Sequence, residues 1–408
     1  MNNGIVKQGL AVGIILLFVG TCIIPAIAQD TEKPLPTSRG NWLYVGGSGP
    51  GNYSKIQDAI NTSIDGDTIY VYNDSSPYYE HLTINKSIRL VGEDRVSTVI
   101  DGSGVGTIVS ITNNVNPSYV TLQSFTIRNG GEGINRESNA YKNNFSELTV
   151  ENVTYGILID YSWETNISHC TIVNSSYGIR IPWCFNTNIS FCNFYNYQVG
   201  VFLVGNFVGI GQSNTLFGNS FLGGETGIWI GAVLDDNSLF NNVFHNNSYA
   251  GILLQGTQTN DVFNNHFSYN SIGVLLLSDL YGNADKNHIY GNNFSYNGIG
   301  ISFWPEQEYP SSTIKRLASE NSHPAARNWI FMNNFIGNDK HAVPIGRRNH
   351  WTDGKGHGNY WDDWIGLKYE ACSKLPKIII GRTHYLSLPR FNFDWHPAKE
   401  PYDIPGMR

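Results

Sequence analysis

Apolar residues stand two apart in short runs along this chain, as at Ile157 and Ile159, Ile179 and Ile181, Ile228 and Ile230, and Ile252 and Leu254. That spacing is the spacing of a strand with one buried face. Gly and Asn interrupt every run, as tight corners require. A longer period overlies the short one. Ile127, Val150, Ile172, Phe194, Phe221, Phe244, Phe267, Phe294 and Phe335 follow one another in steps of 22 to 27 residues, with a last step of 41. Gly-Ile or Gly-Val pairs keep the same register at Gly133, Gly156, Gly178, Gly200, Gly227, Gly251, Gly273 and Gly300. A unit this small cannot bury its own core and must stack on its neighbours. Helical repeats would need a 3.6-residue period, and leucine-rich repeats a regular Leu framework; neither is present. The pattern predicts an all-β chain: a right-handed parallel β-helix of nine or more coils, spaced about 4.8 Å apart.

The ends and the interruptions divide the chain. Lys7, the apolar stretch Leu10–Ile24 and Ala26-Ile27-Ala28 read as a signal peptide over residues 1–28, with a retained membrane anchor as the rival reading. A polar linker covers 29–41, the solenoid 42–345, and an irregular closing segment 346–408. Ser54-Lys55-Ile56-Gln57 reads as a capping box opening a short helix over the first coil, where bare strand edges would invite aggregation. Residues 304–328 carry Pro305, Pro310 and Pro324 and break the period. They are expected to loop out of the stack, as a border of a working face or as a plain surface insertion. Two residues before the core row stand Phe125, Leu148, Cys170 and Cys192, then Asn219, Asn242, Asn265, Asn292 and Asn333. The late coils therefore carry an Asn row, either a buried hydrogen-bonded ladder or a line of solvent-facing corners.

Composition narrows the function classes. Charged residues make up 14%, the net charge is −7, and Asn outnumbers Gly. No basic stripe points to nucleic acid. After processing four cysteines remain, too few for a disulfide scaffold. Cys170 and Cys192 sit one coil apart, which fits a stacked thiol pair, a disulfide or a metal pair.

The run Asn349-His350-Trp351-Thr352-Asp353-Gly354 followed by Gly358-Asn359-Tyr360-Trp361-Asp362-Asp363 resembles the end of NosD-like β-helix proteins. The opening Leu43-Tyr44-Val45-Gly46, with Ile56-Gln57-Asp58-Ala59-Ile60 and Gly66-Asp67-Thr68-Ile69, resembles theirs too, as do the Asn-x-Phe coils. The likeness covers nearly the whole mature chain. It implies a secreted or cell-surface solenoid related in fold to pectate lyases and to carbohydrate-binding and sugar-hydrolase β-helices. It also implies a link to copper supply for nitrous-oxide reductase, without a defined ligand set.

Candidate chemistry is sparse. Polygalacturonase-type hydrolysis pairs carboxylates across the scissile bond. Here Asp235-Asp236 would serve, but Gly356-His357-Gly358 lies 121 residues beyond them and no Arg-x-Lys follows. The acids Asp160, Glu164, Glu225 and Asp261 do not recur at coil spacing, which removes the usual basis of a calcium-dependent lyase face. Copper needs His and sulfur ligands; only Met332 and Met407 follow the leader. His350, His357 and Asp353 form the candidate metal set. Copper and calcium remain the cofactors to consider, and ligand spacing supports neither. For ligand contact the candidates are Trp351, Tyr360 and Trp361, by stacking on sugar faces, with Asp235 and Asp236. The expectation is a monomeric, non-catalytic binder of polysaccharide or glycosylated surfaces, without stable membrane insertion after cleavage. A polysaccharide lyase, hydrolase or epimerase is the alternative, and a copper-handling accessory protein the third reading.

Overall fold

A computed structural model describes residues 40–112, 119–137, 140–205, 213–231, 234–278, 282–303, 325–344, 348–382 and 389–405. Residues 41–408 form one compact unit. The signal segment, most of the linker and residues 304–324 of the interruption lie outside the described residues.

The two periods combine as the residues require. Twelve parallel strands, from Trp42–Val45 through to Trp329–Phe331, form one sheet in chain order, each from the next coil. The solenoid therefore has about twelve coils and a length of roughly 50–55 Å. Its inward rows are in register. Phe194, Phe221, Phe244, Phe267, Phe294 and Phe335 pair strand to strand, with ring centroids 4.6–5.0 Å apart and planes within 4–7° of parallel. Trp361 caps the row at 4.3 Å from Phe335. The solenoid pattern thus runs past residue 345, since Tyr360–Trp361 still pairs in parallel with the strand Asn334–Ile336.

The Gly-Ile pairs have a steric cause. A Cβ on Gly273 would stand 2.5 Å from the Gly300 carbonyl oxygen and 2.7 Å from the Phe294 ring. Any larger residue there would push two coils apart.

The Asn row is a buried ladder, and it has companions. Asn219, Asn242, Asn265, Asn292, Asn333 and Asn359 each pass their backbone N–H and side-chain amide N–H to the next member, the steps being 2.9–3.2 Å. A second ladder runs Asn214, Asn237, Asn260, Asn287, Asn328 and Asn349, and a third Asn247, Asn270, Asn297 and Asn338. Each corner thereby has its buried donors satisfied, where an apolar residue would leave them orphaned. The ladder steps all run toward the C-terminal end, while each amide also donates back to a carbonyl of the preceding coil, so the N–H of the last Asn needs a terminal acceptor. Asp394, fully buried in the closing segment, supplies it: its carboxylate accepts from the Asn359 N–H at 2.7 Å and from Trp361 Nε1 at 2.9 Å. Burial raises the pKa of this carboxyl despite its donors.

The helix covers Ile56–Thr62 and buries Ile56, Ala59 and Ile60. Its cap differs from the expected one. No local side chain caps it; the Glu80 carboxylate, 24 residues on, accepts from the N–H groups of Ile56 at 2.9 Å and Gln57 at 3.0 Å. A carboxylate there also suits the positive end of the helix. Cys170 and Cys192 are buried free thiols, each donating to a carbonyl two residues back at 3.3 Å.

Candidate functional site

The coil carboxylates do not assemble. Asp235 is half-buried and accepts from the Gln258 N–H at 2.7 Å. Burial raises its pKa, and the adjacent Asp236 charge adds to this against that hydrogen bond. Asp236 is exposed at a corner with φ 58°. Asp235 thus ties its corner to the next coil, and Asp236 occupies a left-handed turn position.

The closing segment sorts its candidates by burial. Trp351 and Trp361 are 3% and 0% exposed and lie 5.8 Å apart, so their faces belong to the end of the core and not to a ligand. Tyr360 is partly exposed beside them. His350 stacks on Trp329 at 4.2 Å, continuing the outward row of the sheet. His357 pairs with Asp353 at 2.7 Å inside one exposed loop, where the same carboxylate also accepts from the N–H groups of Lys355 and His357. His350 does not join that pair: among the described residues the one set of three metal-capable side chains is a different one.

That set is His341, Asp362 and Asp363, with Lys377 beside it. It lines a cavity of about 490 Å³ between the last coil and the closing hairpin Lys377–Arg382/Pro389–Asp394. His341 Nε2 lies 2.8 Å from Asp362 and 3.3 Å from Asp363, and Lys377 Nζ lies 2.6 Å from Asp363. His341 belongs to the last coil and the other three to the closing segment, so no repeat or short motif joins them. No local pattern in the sequence therefore marks His341.

The Asn ladder decides the chemistry of this histidine. The Asn338 oxygen accepts from the Asn297 backbone N–H at 2.9 Å, so its nitrogen faces the other way, 3.3 Å from His341 Nδ1. The network assigns Nδ1 as acceptor and puts the proton on Nε2, aimed at the carboxylates. A metal at Nε2 would require the opposite tautomer, with Nδ1–H pointing at an N–H donor. The set also lacks sulfur for Cu(I) and carries an ammonium in contact with a carboxylate. Three side chains fall short of the six to eight oxygens of a typical calcium site. Neither copper nor calcium fits, and with both ring nitrogens engaged His341 has no free nitrogen to act as a general base.

The cluster instead ties the closing segment to the last coil. Burial raises the Asp363 pKa, but hydrogen bonds from His341 and Lys377 outweigh it and hold the carboxyl well below its ordinary value of 3.8. A depressed carboxylate contributes stability that is present above its unfolded value and lost as pH falls toward the folded one. The thermal midpoint should therefore begin to fall as the pH drops through about 4. Asp363→Asn should start lower at neutral pH and show a shallower acid fall. Parallel pH curves for the two proteins would contradict the clasp.

Outward rows differ in what they offer. Phe217, Phe240, Phe263, Tyr290 and Phe331 stack at 4.9–5.2 Å with planes within 11°. Each interior ring has both faces covered by its neighbours, so the row shows edges and no stacking platform. A corner row of Asn129, Asn152, Asn174 and Asn196 is open, with three of the four exposed. Its amides bond coil to coil at 3.4, 3.0 and 2.7 Å.

Comparison with known proteins bears on the whole chain. The family model described as periplasmic copper-binding protein (NosD) matches residues 50–226, 116–313 and 213–366, overlapping as repeats do. Among solved structures, the A-module of the mannuronan C-5 epimerase AlgE6 of Azotobacter vinelandii is similar at 15% identity and a TM-score of 0.52, covering 73% of this chain and 92% of that one. A mannuronic acid specific polysaccharide family 6 lyase from human gut microbiota matches at 13% identity and a TM-score of 0.47, covering 76% and 78%. DFA-IIIase from Arthrobacter chlorophenolicus A6 matches at 14% and 0.43, covering 83% and 89%. At these identities the likeness is one of fold. No curated protein matches the chain.

Proposed function

This chain belongs to the family described as periplasmic copper-binding protein (NosD), and from that premise we propose that it works outside the cytoplasm as a non-catalytic binder of glycans. The observation that carries the reading is the open amide ladder from Asn129 to Asn196. An amide has two donors and two acceptor sites. Each ladder bond uses one donor and one acceptor, which leaves one of each per coil for sugar hydroxyls. Such contacts are individually weak, so affinity comes from several coils engaging one long chain. Tyr195, 38% exposed, adds a ring beside the ladder's end. No helix among the described residues is long and apolar enough to cross a membrane.

The reading predicts retention on insoluble polysaccharide without new reducing ends or unsaturated products. Asn152→Gly with Asn174→Gly should weaken retention at least tenfold while leaving the melting temperature close to that of the parent, since both side chains are exposed and both residues have left-handed φ values, 56° and 54°, that Gly adopts without strain. Product release abolished by Asp235→Asn would place the protein among the lyases, hydrolases or epimerases. Stoichiometric copper that survives dialysis and disappears in His341→Ala would restore the copper-handling reading.

A further inference from the structure

The start of the solenoid holds a cleft that none of the preceding chemistry uses. Trp42–Val45 is the first strand of the twelve-stranded sheet, so among the described residues one side of it has no neighbouring strand. Interior outward rings are sandwiched, as Phe240 is between Phe217 and Phe263. Rings on the terminal strand are not, and Trp42 and Tyr44 are 55% and 39% exposed. Tyr44 lies 6.2 Å from Tyr72 with planes 25° apart, and Trp42 lies 6.3 Å from Tyr44. Beside Tyr44 and Tyr72 opens a cleft of about 650 Å³, large enough for a short oligosaccharide.

Its polar lining is fixed and of one sign. Both Asp74 oxygens accept from the Gly47 N–H at 3.0 Å, and the Asn52 amide donates to the Gly46 carbonyl at 2.6 Å. These bonds hold a glycine turn against the tyrosines. Gly47 has φ 71°, and a Cβ there would stand 2.8 Å from the Tyr72 ring, so the turn tolerates no side chain. Glu93 accepts from the Asn73 N–H at 3.0 Å through one oxygen. Asp74 and Glu93 are thus two carboxylates in one cleft, and among the described residues no Lys, Arg or His lines it.

Aromatic faces take the C–H face of a pyranose and attract cations through the ring quadrupole. Carboxylates without a counter-charge favour a cation and repel an anion. We propose that this cleft is a saccharide site, separate from the amide ladder, that selects sugars bearing a protonated amine and rejects uronates. The sugar ring lies against Tyr44, and its ammonium faces Asp74 and Glu93.

The test is calorimetric titration of the full chain with β-linked glucosamine oligomers at pH 6. The same oligomers N-acetylated, oligouronates of equal length, and oligolysine serve as comparisons. Glucosamine oligomers should bind, N-acetylation should weaken binding at least tenfold, and oligouronates should give no heat. Glu93→Gln should weaken binding about tenfold, and Tyr44→Leu, which keeps bulk but removes the ring, should do the same with an unchanged melting temperature. Asn152→Gly with Asn174→Gly should leave this binding intact, which separates it from the amide ladder. Equal affinity for acetylated and free-amine oligomers would overturn the proposal. So would oligolysine binding as tightly as the sugar, or absence of binding by the folded parent.

Discussion

Replacing Phe267 with Asp should cost on the order of 3–5 kcal/mol of unfolding free energy. Phe267 has no solvent exposure, and its ring lies 4.8 Å from both Phe244 and Phe294. The substitution removes two stacked faces at once and puts a carboxylate in a column where the nearest side chains above and below are rings. Because each coil rests only on its neighbours, the damage falls on two interfaces and not one. A denaturant melt monitored by circular dichroism measures it. An unchanged midpoint would be incompatible with a continuous Phe column.

Asn265→Asp should be nearly as damaging, at about 3 kcal/mol or more, although it changes one atom. Asn265 is fully buried and accepts from the Asn242 N–H and amide at 3.0 Å, which an Asp oxygen could still do. Its own nitrogen donates to the carbonyls of Leu239 at 2.8 Å and Phe263 at 3.0 Å and to the Asn292 oxygen at 3.0 Å. The second Asp oxygen would face three acceptors with no proton to offer. Burial raises the pKa of such a carboxyl, so the deficit should grow as pH rises above the unfolded value of about 3.9. Melting the variant and its parent at pH 4 and pH 8 checks this sign. A deficit equal at both values would mean that the ladder position is hydrated.

Both predictions rest on features legible in the sequence. A period of 22 to 27 residues, apolar residues two apart and an Asn two places before each core Phe from Phe221 onward are local regularities. Stacking turns each regularity into a spatial row, because in-register coils place equivalent residues one above another. The Gly-Ile pairs, the Phe column and one Asn row follow from that rule alone, and burial decided that the row is a ladder and not a line of solvent-facing corners. The second and third ladders, from Asn214 and Asn247, recur at the same coil spacing.

The chain's sequence by itself therefore determined the solenoid: its strands, its register and the content of its interior. Tertiary structure decided everything that joins residues outside the repeat. The Glu80 carboxylate on the helix start, Asp394 at the end of the Asn359 ladder, and the His341, Asp362, Asp363 and Lys377 clasp link separate segments. So does the cleft that sets Tyr44 against Tyr72 and Asp74. All of these lie at the two ends of the rod, where a coil has a neighbour on one side only. There the repeat no longer dictates which residues meet, and unpaired donors, open ring faces and uncovered strands must find partners case by case. The tautomer of His341 shows the dependence most directly. It is set by Asn338, whose orientation is inherited through a ladder that begins three coils earlier at Asn247.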